Sequence, residues 1–362
     1  MAKYNIIIAD GDKGYIDAIS KYLISYGNKD FNITSFSQRA YLSKYLETDK
    51  GDILLISPEM IDPNINLDNI QVIIINIEDR IPENLIKYPY IHKYQPGDLI
   101  AKNIINIFSQ QSKDEIIDTS NNQHSKVIGV FSPIGGIGKT TTSIVLGKQY
   151  ARSNYKTLFI SLEELSSYRE LLDCTSTKDF SDMIYYIKQG NNNLLLKIEG
   201  LKNIDSYSEL DYFSPPLCYE DIQEVSIDEW IYFIDYLRNN SSYERIILDF
   251  DSTLSKKNMK ILQICDEVIL LVNGDNMSKC KIETMYNNLN KMNMNDINNN
   301  IKIVYNNNNI NKEDEIMEGV SIKGKDINLY LPYDNNLITY ENSQGYIHLD
   351  NPFSEFIKKL IN

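Results

Sequence analysis

The sequence predicts an α/β protein built from two doubly wound domains, each with a mostly parallel sheet. Three observations predict this fold class. Continuous apolar runs alternate with helical patterns, a polar stretch divides the chain, and a glycine-rich loop follows the first apolar run of the second half. Because 362 residues exceed what a single hydrophobic core usually accommodates, we expect two separate cores.

The first domain is predicted to span residues 1–108. Its buried strands are indicated by three apolar runs, Ile6–Ile8, Ile53–Ile56 and Val72–Ile75. A helix between the first two runs is indicated by apolar residues three and four apart, Ile16, Ile19 and Leu23. Fully apolar strands are typical of parallel sheets that are covered on both faces. The segment 109–126 is polar and lacks helical periodicity, which predicts a linker.

Three polar residues lie at the ends of the predicted strands of this domain: Asp10, Ser57 and Asn76. Their order resembles that of response-regulator receiver domains, which implies a receiver-like (flavodoxin-like) fold. The resemblance places Lys93 at the lysine that ends the family's fifth strand, although Tyr94 replaces the proline that follows it there. In that family an acidic pair holds Mg²⁺ and an aspartate accepts the phosphoryl group. Here only Asp10 remains of the pair, and Ser57 occupies the acceptor position. Because serine supplies neither a carboxylate nucleophile nor a metal ligand set, we expect a phosphorylation-silent domain that serves docking or dimerisation.

A phosphate-binding loop is predicted at Pro133–Thr141, between the apolar run Val127–Phe131 and a helix predicted over Ser143–Arg152. Glycines let backbone amides face phosphates, and the helix N-terminus adds positive potential. Lys139 is expected to contact the β and γ phosphates, while Thr140 ligates Mg²⁺. The residues predicted to bind ATP in this loop are Gly135, Gly136, Ile137, Gly138, Lys139, Thr140 and Thr141.

The double glycine and the later strand patterns resemble the deviant P-loop ATPases of the MinD/ParA family over residues 127–362, which are predicted to form the second domain. The resemblance implies a P-loop NTPase domain with a mostly parallel sheet. Three further residues are transferred from the family's motifs. Glu163 is expected to orient the attacking water, Asp249 to hold Mg²⁺ together with Thr140, and Asn306 to read the adenine edge. The implied catalytic residues are Lys139, Glu163 and Asp249, and the implied cofactors are ATP and Mg²⁺.

One position departs from the family's pattern. The loop of MinD/ParA proteins opens with a lysine that crosses an ATP-sandwiched dimer to the partner's phosphates, and here Ile134 occupies that position. Without this charge the transferred phosphoryl group is not stabilised from the partner subunit. The departure predicts slow hydrolysis or none, and a weak ATPase at most.

The combination of both halves resembles the TadZ/CpaE proteins of tight-adherence (Flp) pilus assembly. It implies an ATP-binding homodimer that localises a pilus secretion machinery, at a cell pole or peripheral to the inner face of the membrane. Two alternatives stay open. One is a MinD/ParA-type switch that cycles between monomer and ATP dimer in cell division or partitioning. The other is a structural interaction protein whose loop is vestigial.

Composition limits the partners. A net charge of −14 disfavours nucleic acid and anionic membranes. The apolar stripe in Phe353–Ile361 is expected to dock on its own domain, although a peripheral membrane anchor is the alternative.

Four widely spaced cysteines without metal-ligand spacing are predicted to be reduced and buried. With no signal-peptide or membrane-spanning pattern, the cytoplasm is the expected compartment.

Overall fold

The computed structural model describes residues 4–25, 31–62, 65–111, 124–174, 178–190, 194–292, 297, 299–306, 321–322, 325–341 and 344–361. The chain forms two compact units. The first comprises residues 1–120 and 191–201, and the second comprises residues 121–190 and 202–362. The chain therefore passes from one unit to the other after residues 120, 190 and 201.

The first unit contains a five-stranded parallel sheet in the order β2-β1-β3-β4-β5. Its strands are β1 (Tyr4–Ala9), β2 (Phe31–Phe36), β3 (Gly51–Ile56), β4 (Ile70–Ile77) and β5 (Tyr90–His92). Its helices within the first 120 residues are α1 (Lys13–Ser25), α2 (Arg39–Thr48) and α3 (Gly97–Gln111). The three apolar runs predicted as strands lie in β1, β3 and β4. This strand order is the flavodoxin-like order of doubly wound sheets.

The two faces of this sheet carry separate cores because successive strand residues point to opposite sides. Ile6 and Ile8 pack on one face with apolar residues of α1 and α3. Ile7 packs on the other face with Leu42 and Leu46 of α2. The helical spacing in α1 is confirmed, since Ile16, Ile19 and Leu23 are all buried.

A helix from much later in the chain, α6 (Leu194–Leu201), belongs to this first unit. Leu196 joins the core formed by α1 and α3. The side-chain amide of Asn106 on α3 donates to the Gly200 carbonyl at 3.0 Å. A Cβ at Gly200 would lie 2.0 Å from Asn106 Oδ1, so this close approach requires glycine. The sequence placed these residues in the second domain, because a packing contact between segments so far apart leaves no local pattern.

The predicted linker also has different bounds in the structure. Helix α3 continues to Gln111, and the first strand of the second unit begins at Lys126. Residues 112–123 of the predicted linker lie outside the described residues.

The second unit contains an eight-stranded sheet in the order β15-β12-β11-β6-β10-β7-β9-β8. All neighbouring pairs are parallel except β8 with β9. The strands of this sheet are β6 (Lys126–Phe131), β7 (Thr157–Ser161), β8 (Asn203–Ile204), β9 (Asp211–Tyr212), β10 (Arg245–Asp249), β11 (Glu267–Val272), β12 (Ile301–Asn306) and β15 (Leu329–Leu331). The second unit also contains two antiparallel strand pairs, β13 (Ser321–Ile322) with β14 (Lys325–Asp326) and β16 (Ile338–Glu341) with β17 (Gln344–Ile347).

Its helices are α4 (Lys139–Arg152), α5 (Phe180–Lys188), α7 (Tyr219–Glu224), α8 (Ile227–Asn240), α9 (Lys256–Ile264), α10 (Asn276–Lys291) and α11 (Pro352–Lys358). Because β6, β7, β10, β11 and β12 are parallel, their carboxyl ends meet at one edge of the sheet. Ligands of open α/β sheets bind outside this edge.

The segment 164–242, which the sequence did not explain, builds part of the second core. Four of its aromatic side chains pack together, with ring centroids 5.1–6.4 Å apart: Phe180, Phe213, Trp230 and Phe233. These residues lie on or beside α5, β9 and α8. Their positions in the sequence follow no helical or strand periodicity, so the sequence alone does not predict that these four side chains pack together.

The C-terminal helix α11 docks on α4, as expected. Phe353 and Ile357 are buried, and Gln149 Nε2 donates to Ser354 Oγ at 2.6 Å. No helix among the described residues is long and apolar enough to cross a bilayer. The prediction of buried cysteines is confirmed for Cys265 alone, since Cys174 is half-buried. It was wrong for Cys218 and Cys280, which are exposed because Cys218 caps α7 and Cys280 lies on the exposed side of α10.

Candidate nucleotide-binding site

The glycine-rich loop follows β6 at the centre of the sheet. Helix α4 begins at Lys139 rather than at the predicted Ser143, so the loop's lysine lies in the first turn of the helix. Gly136 and Gly138 have positive φ angles of 68° and 87°, which glycine tolerates best. A methyl group built at Gly135 or Gly136 would meet no atom within 4 Å, so the space beside these glycines is open.

Asn306, at the end of β12, contacts this loop. Its Nδ2 donates to the Ile137 carbonyl at 2.7 Å, and the residue is buried. A Cβ at Gly138 would lie 3.0 Å from the same nitrogen. Asn306 therefore supports the loop in this structure, and its contact with a base stays a prediction.

A buried carboxylate lies beside the first turn of α4. Thr140 Oγ1 donates to Asp249 Oδ2 at 2.9 Å, and the single proton of Ser143 Oγ is shared between Asp249 Oδ1 at 3.1 Å and the Lys139 carbonyl at 2.9 Å. Ser161 Oγ adds a longer contact of 3.3 Å to Oδ2. Both carboxylate oxygens of Asp249 therefore accept from hydroxyl groups, which compensates for their complete burial.

The loop lysine has a neutral partner. Lys139 Nζ donates to Ser252 Oγ at 2.6 Å, and Ser252 Oγ donates to the Ile134 carbonyl at 3.1 Å. Lys139 is buried. Its ammonium forms no ion pair with any carboxylate in the described part of the chain. The hydroxyl of Ser252 thus joins the lysine to the start of the loop.

Two further carboxylates lie near the site. Thr140 Oγ1 is 3.4 Å from Glu163 Oε2, which brings the predicted water-orienting residue to the predicted metal-binding hydroxyl. Asp251 Oδ1 accepts from Asn258 Nδ2 at 2.9 Å and from the Thr253 amide at 2.5 Å. Asp251 therefore shapes the segment between β10 and α9.

Residues 125–303 match the family model described as an AAA domain. Among solved structures, the septum site-determining protein MinD of Pyrococcus horikoshii OT3, complexed with Mg-ADP, is 16% identical with a TM-score of 0.51 over 65% of this chain and 94% of MinD. The MinD cell division protein of Aquifex aeolicus is 19% identical with a TM-score of 0.50 over 66% and 97% of the chains. No curated protein sequence matches.

The second unit has the fold of the MinD/ParA-type P-loop ATPases. Identities below 20% establish the fold alone.

In the second unit, burial and repulsion by neighbouring carboxylates shift the pKa values of two carboxylates, Asp249 and Glu163. Burial and the nearby Glu163 carboxylate raise the pKa of Asp249 to about 7, although the hydroxyls of Thr140 and Ser143 and the charge of Lys139 oppose this. Burial also raises the pKa of Glu163, and Lys139 and Thr140 partly offset the rise. Both carboxylates are therefore held in an environment that a divalent cation would stabilise in the ionised form.

The donor set fits ATP with Mg²⁺. The open loop supplies backbone amides at a helix N-terminus, and Lys139 supplies an ammonium group for phosphate oxygens. Thr140 and Asp249 place a hydroxyl and a carboxylate oxygen 2.9 Å apart, and Mg²⁺ prefers such oxygen ligands. Thr141 lies half-buried in the same helical turn. Bound Mg²⁺ would supply charge stabilisation. The role of Glu163 in orienting an attacking water stays a prediction.

Sequence reasoning missed two residues of this site, Ser143 and Ser252. Ser143 follows Lys139 by one helical turn, so its contact with Asp249, the last residue of β10, could have been inferred from helical spacing. Ser252 lies in an irregular segment after Asp249, and no pattern shows where its hydroxyl points.

The corresponding edge of the first unit holds a closed cluster. Lys93 Nζ lies 3.0 Å from Asp10 Oδ1 and 3.1 Å from Glu78 Oε1, and Lys93 and Asp10 are buried. Burial alone would lower the pKa of Lys93, but its hydrogen bonds to Asp10 and Glu78 outweigh burial and raise it. Asn76 Nδ2 makes a long contact of 3.5 Å with Asp10 Oδ2. Ser57 Oγ is buried without a hydrogen-bond partner among the described residues.

Proposed function

We propose that this chain is an ATP-binding localisation and scaffold factor for a tight-adherence (Flp) pilus secretion machinery, acting as a homodimer with slow or no hydrolysis. The observation that carries the proposal is Ile134. It occupies the position of the family's signature lysine in a loop that otherwise keeps the groups needed to hold ATP with Mg²⁺.

Ile134 cannot perform the role of that lysine. Its side chain is apolar and only 8% exposed, so it packs into the protein and carries no charge toward a partner's phosphates. In phosphoryl transfer, a cation supplied by a partner contributes a factor of roughly 10³–10⁵ in rate in well-studied enzymes. Without this cation, hydrolysis of bound ATP is expected to be slow, so the nucleotide stays bound for a long time. A long-lived ATP-bound state suits a scaffold.

The first unit supports the same proposal. The site that would receive a phosphoryl group in a receiver domain has Ser57 at the acceptor position, and Lys93 is held by Asp10 and Glu78. A unit without this chemistry is free to serve as a docking or dimerising module. Its assignment to the receiver family, the pilus machinery as partner, and a polar or membrane-peripheral location all belong to the proposal.

The test compares the wild-type protein with Ile134→Lys. For each protein, steady-state ATP turnover is measured over a range of protein concentrations, and solution mass is measured by light scattering with no nucleotide, ADP·Mg²⁺ and ATP·Mg²⁺. We expect slow wild-type turnover and a dimer mass that nucleotide does not change. Ile134→Lys should raise turnover, more strongly at high protein concentration. Wild-type turnover comparable to an efficient P-loop enzyme would contradict the proposal.

The second candidate is a nucleotide switch of the MinD/ParA type in cell division or partitioning. It is favoured by the completeness of the site within one subunit, where Glu163 and Asp249 both approach Thr140. The light-scattering experiment separates the two candidates. A monomer that becomes a dimer only with ATP·Mg²⁺ would favour the switch.

A further inference from the structure

Ser252 lies in the short segment between β10 and α9, and its hydroxyl touches both ends of the phosphate-binding loop. It accepts a hydrogen bond of 2.6 Å from Lys139 and donates one of 3.1 Å to the Ile134 carbonyl. No motif of the loop assigns a function to this residue. Its two contacts use the hydroxyl as acceptor and as donor, so replacement by alanine removes both.

The segment that carries Ser252 is itself fixed. Asn258, which is fully buried, donates to Asp251 Oδ1 at 2.9 Å and to the Thr253 carbonyl at 2.7 Å. Ser255 caps α9 by accepting from the Asn258 amide at 3.1 Å. The segment on both sides of Ser252 is therefore held by contacts that do not involve Lys139.

A buried ammonium group that lost this partner would move to another acceptor, because an unpaired buried charge is costly. Asp249 is a poor alternative, since both of its oxygens already lie within hydrogen-bond distance of hydroxyl groups, those of Thr140, Ser143 and Ser161. Glu163 is the better one. It is half-buried, and its only side-chain hydrogen bond in the described residues is the long 3.4 Å contact from Thr140, the neighbour of Lys139.

We propose that Ser252 is a positioning residue that holds Lys139 on a neutral acceptor, away from Glu163, so that the ammonium remains available to phosphate oxygens. The inference rests on the proposed binding of ATP. A hydrogen bond to a hydroxyl is exchanged for a phosphate contact at little cost, whereas a lysine already paired with a carboxylate must break that ion pair first. The bridge to Ile134 keeps the start of the loop at a fixed place while the lysine changes partner.

The experiment measures ATP affinity by calorimetry in the presence of Mg²⁺ on the full chain. We expect Ser252→Ala to weaken binding about tenfold, the equivalent of one charged hydrogen bond of modest strength. Ser252→Thr keeps the hydroxyl and should stay close to wild type. Thr253→Ala is the matched control, because it removes a hydroxyl from an exposed neighbour in the same segment.

The decisive variant is the double substitution Ser252→Ala with Glu163→Gln. If Glu163 captures the lysine, removing its charge should return the affinity to that of Glu163→Gln alone. A Ser252→Ala protein that binds ATP as tightly as wild type overturns the inference. So does a double variant that stays about tenfold weaker than Glu163→Gln, since that loss would come from general damage to the loop. Absence of ATP binding in the wild type would instead overturn the proposed function, and the inference with it.

Discussion

Both units place a lysine near the carboxyl ends of parallel strands, but the two lysines have different partners. In the first unit Lys93 is paired with Asp10 at 3.0 Å and with Glu78 at 3.1 Å. In the second unit Lys139 is held by the neutral hydroxyl of Ser252 at 2.6 Å. The difference shows how one arrangement of strands supports either a closed cluster or a binding site. An internal carboxylate neutralises the first cation, whereas the second keeps its charge for an anion from outside.

The surroundings of the two lysines also differ in how accessible they are to a ligand. Gly135 and Gly136, in the loop before Lys139, are exposed, and the space beside them is open. Around Lys93, Asp10, Ser57 and Asn76 are buried, and Glu78 is the exposed member of the cluster. We therefore expect Lys93 to act mainly on stability and Lys139 mainly on binding, and this expectation can be tested from both sides.

The largest effect is expected from Lys93→Met. Asp10 would keep its buried charge without a cation, and breaking a buried pair in this way costs about 3–5 kcal/mol in the free energy of unfolding. The measurement is urea unfolding of the full chain, monitored by a spectroscopic signal that arises from the first unit. Lys44→Met, on the exposed side of α2, is the matched control and should change stability little.

A double variant strengthens this first prediction. Lys93→Met together with Asp10→Leu removes both charges and should recover most of the lost stability, because an apolar pair avoids the desolvation of two ions. Equal stability of Lys93→Met and the wild type would mean that the cluster is not the closed ion pair described above.

A smaller effect in free energy is expected from Lys139→Ala, with ATP affinity weakened on the order of 100-fold. The reason is the loss of charge-assisted contacts from the ammonium to phosphate oxygens. Calorimetric titration with ATP·Mg²⁺ checks it, with exposed Lys256→Ala as the control for a general change in surface charge. Unchanged affinity in Lys139→Ala would favour the reading of a vestigial loop.

The smallest effect, no change at all, is expected when the protein is incubated with acetyl phosphate and Mg²⁺. Ser57 offers no carboxylate, and the buried Asp10 is already paired with Lys93. Intact-mass spectrometry should show no added phosphoryl group, while an active receiver domain treated in parallel should gain one. A phosphorylated aspartate in this protein would mean that the Lys93 cluster is not closed, and that it does not differ from the Lys139 site in the way described above.

The sequence predicted the parts of the site whose requirements are local. An apolar strand, glycines with positive φ and a lysine at a helix start lie within a few residues of each other, so Gly136, Gly138 and Lys139 could be recognised from their spacing. Asp249 was proposed from its resemblance to the acid that ends the corresponding strand of MinD/ParA proteins, because an acid after an apolar strand is by itself also typical of a turn. Thr140 Oγ1 lies 2.9 Å from Asp249 Oδ2, and their joint binding of Mg²⁺ stays a prediction.

The remaining contacts depend on how distant segments fold together. Ser252 reaches Lys139 across 113 positions in the chain, and Asn106 reaches Gly200 across 94. No sequence periodicity indicates either contact. The first depends on the path of the irregular segment that carries Ser252, and the second depends on the absence of a side chain at Gly200. Hydrophobic patterns predict which face of an element is buried, but they do not identify the element that covers it.

The position of α6 in the first unit has a practical consequence for dividing this protein. A fragment ending at residue 111 would lack the helix that supplies Leu196 to its core, and the Asn106 amide would lose the Gly200 carbonyl. A fragment beginning at residue 124 would carry that helix with its buried leucines left without their core. Neither half of the sequence encodes a complete first unit, so a cut at the polar stretch separates two polypeptides without separating two folding units.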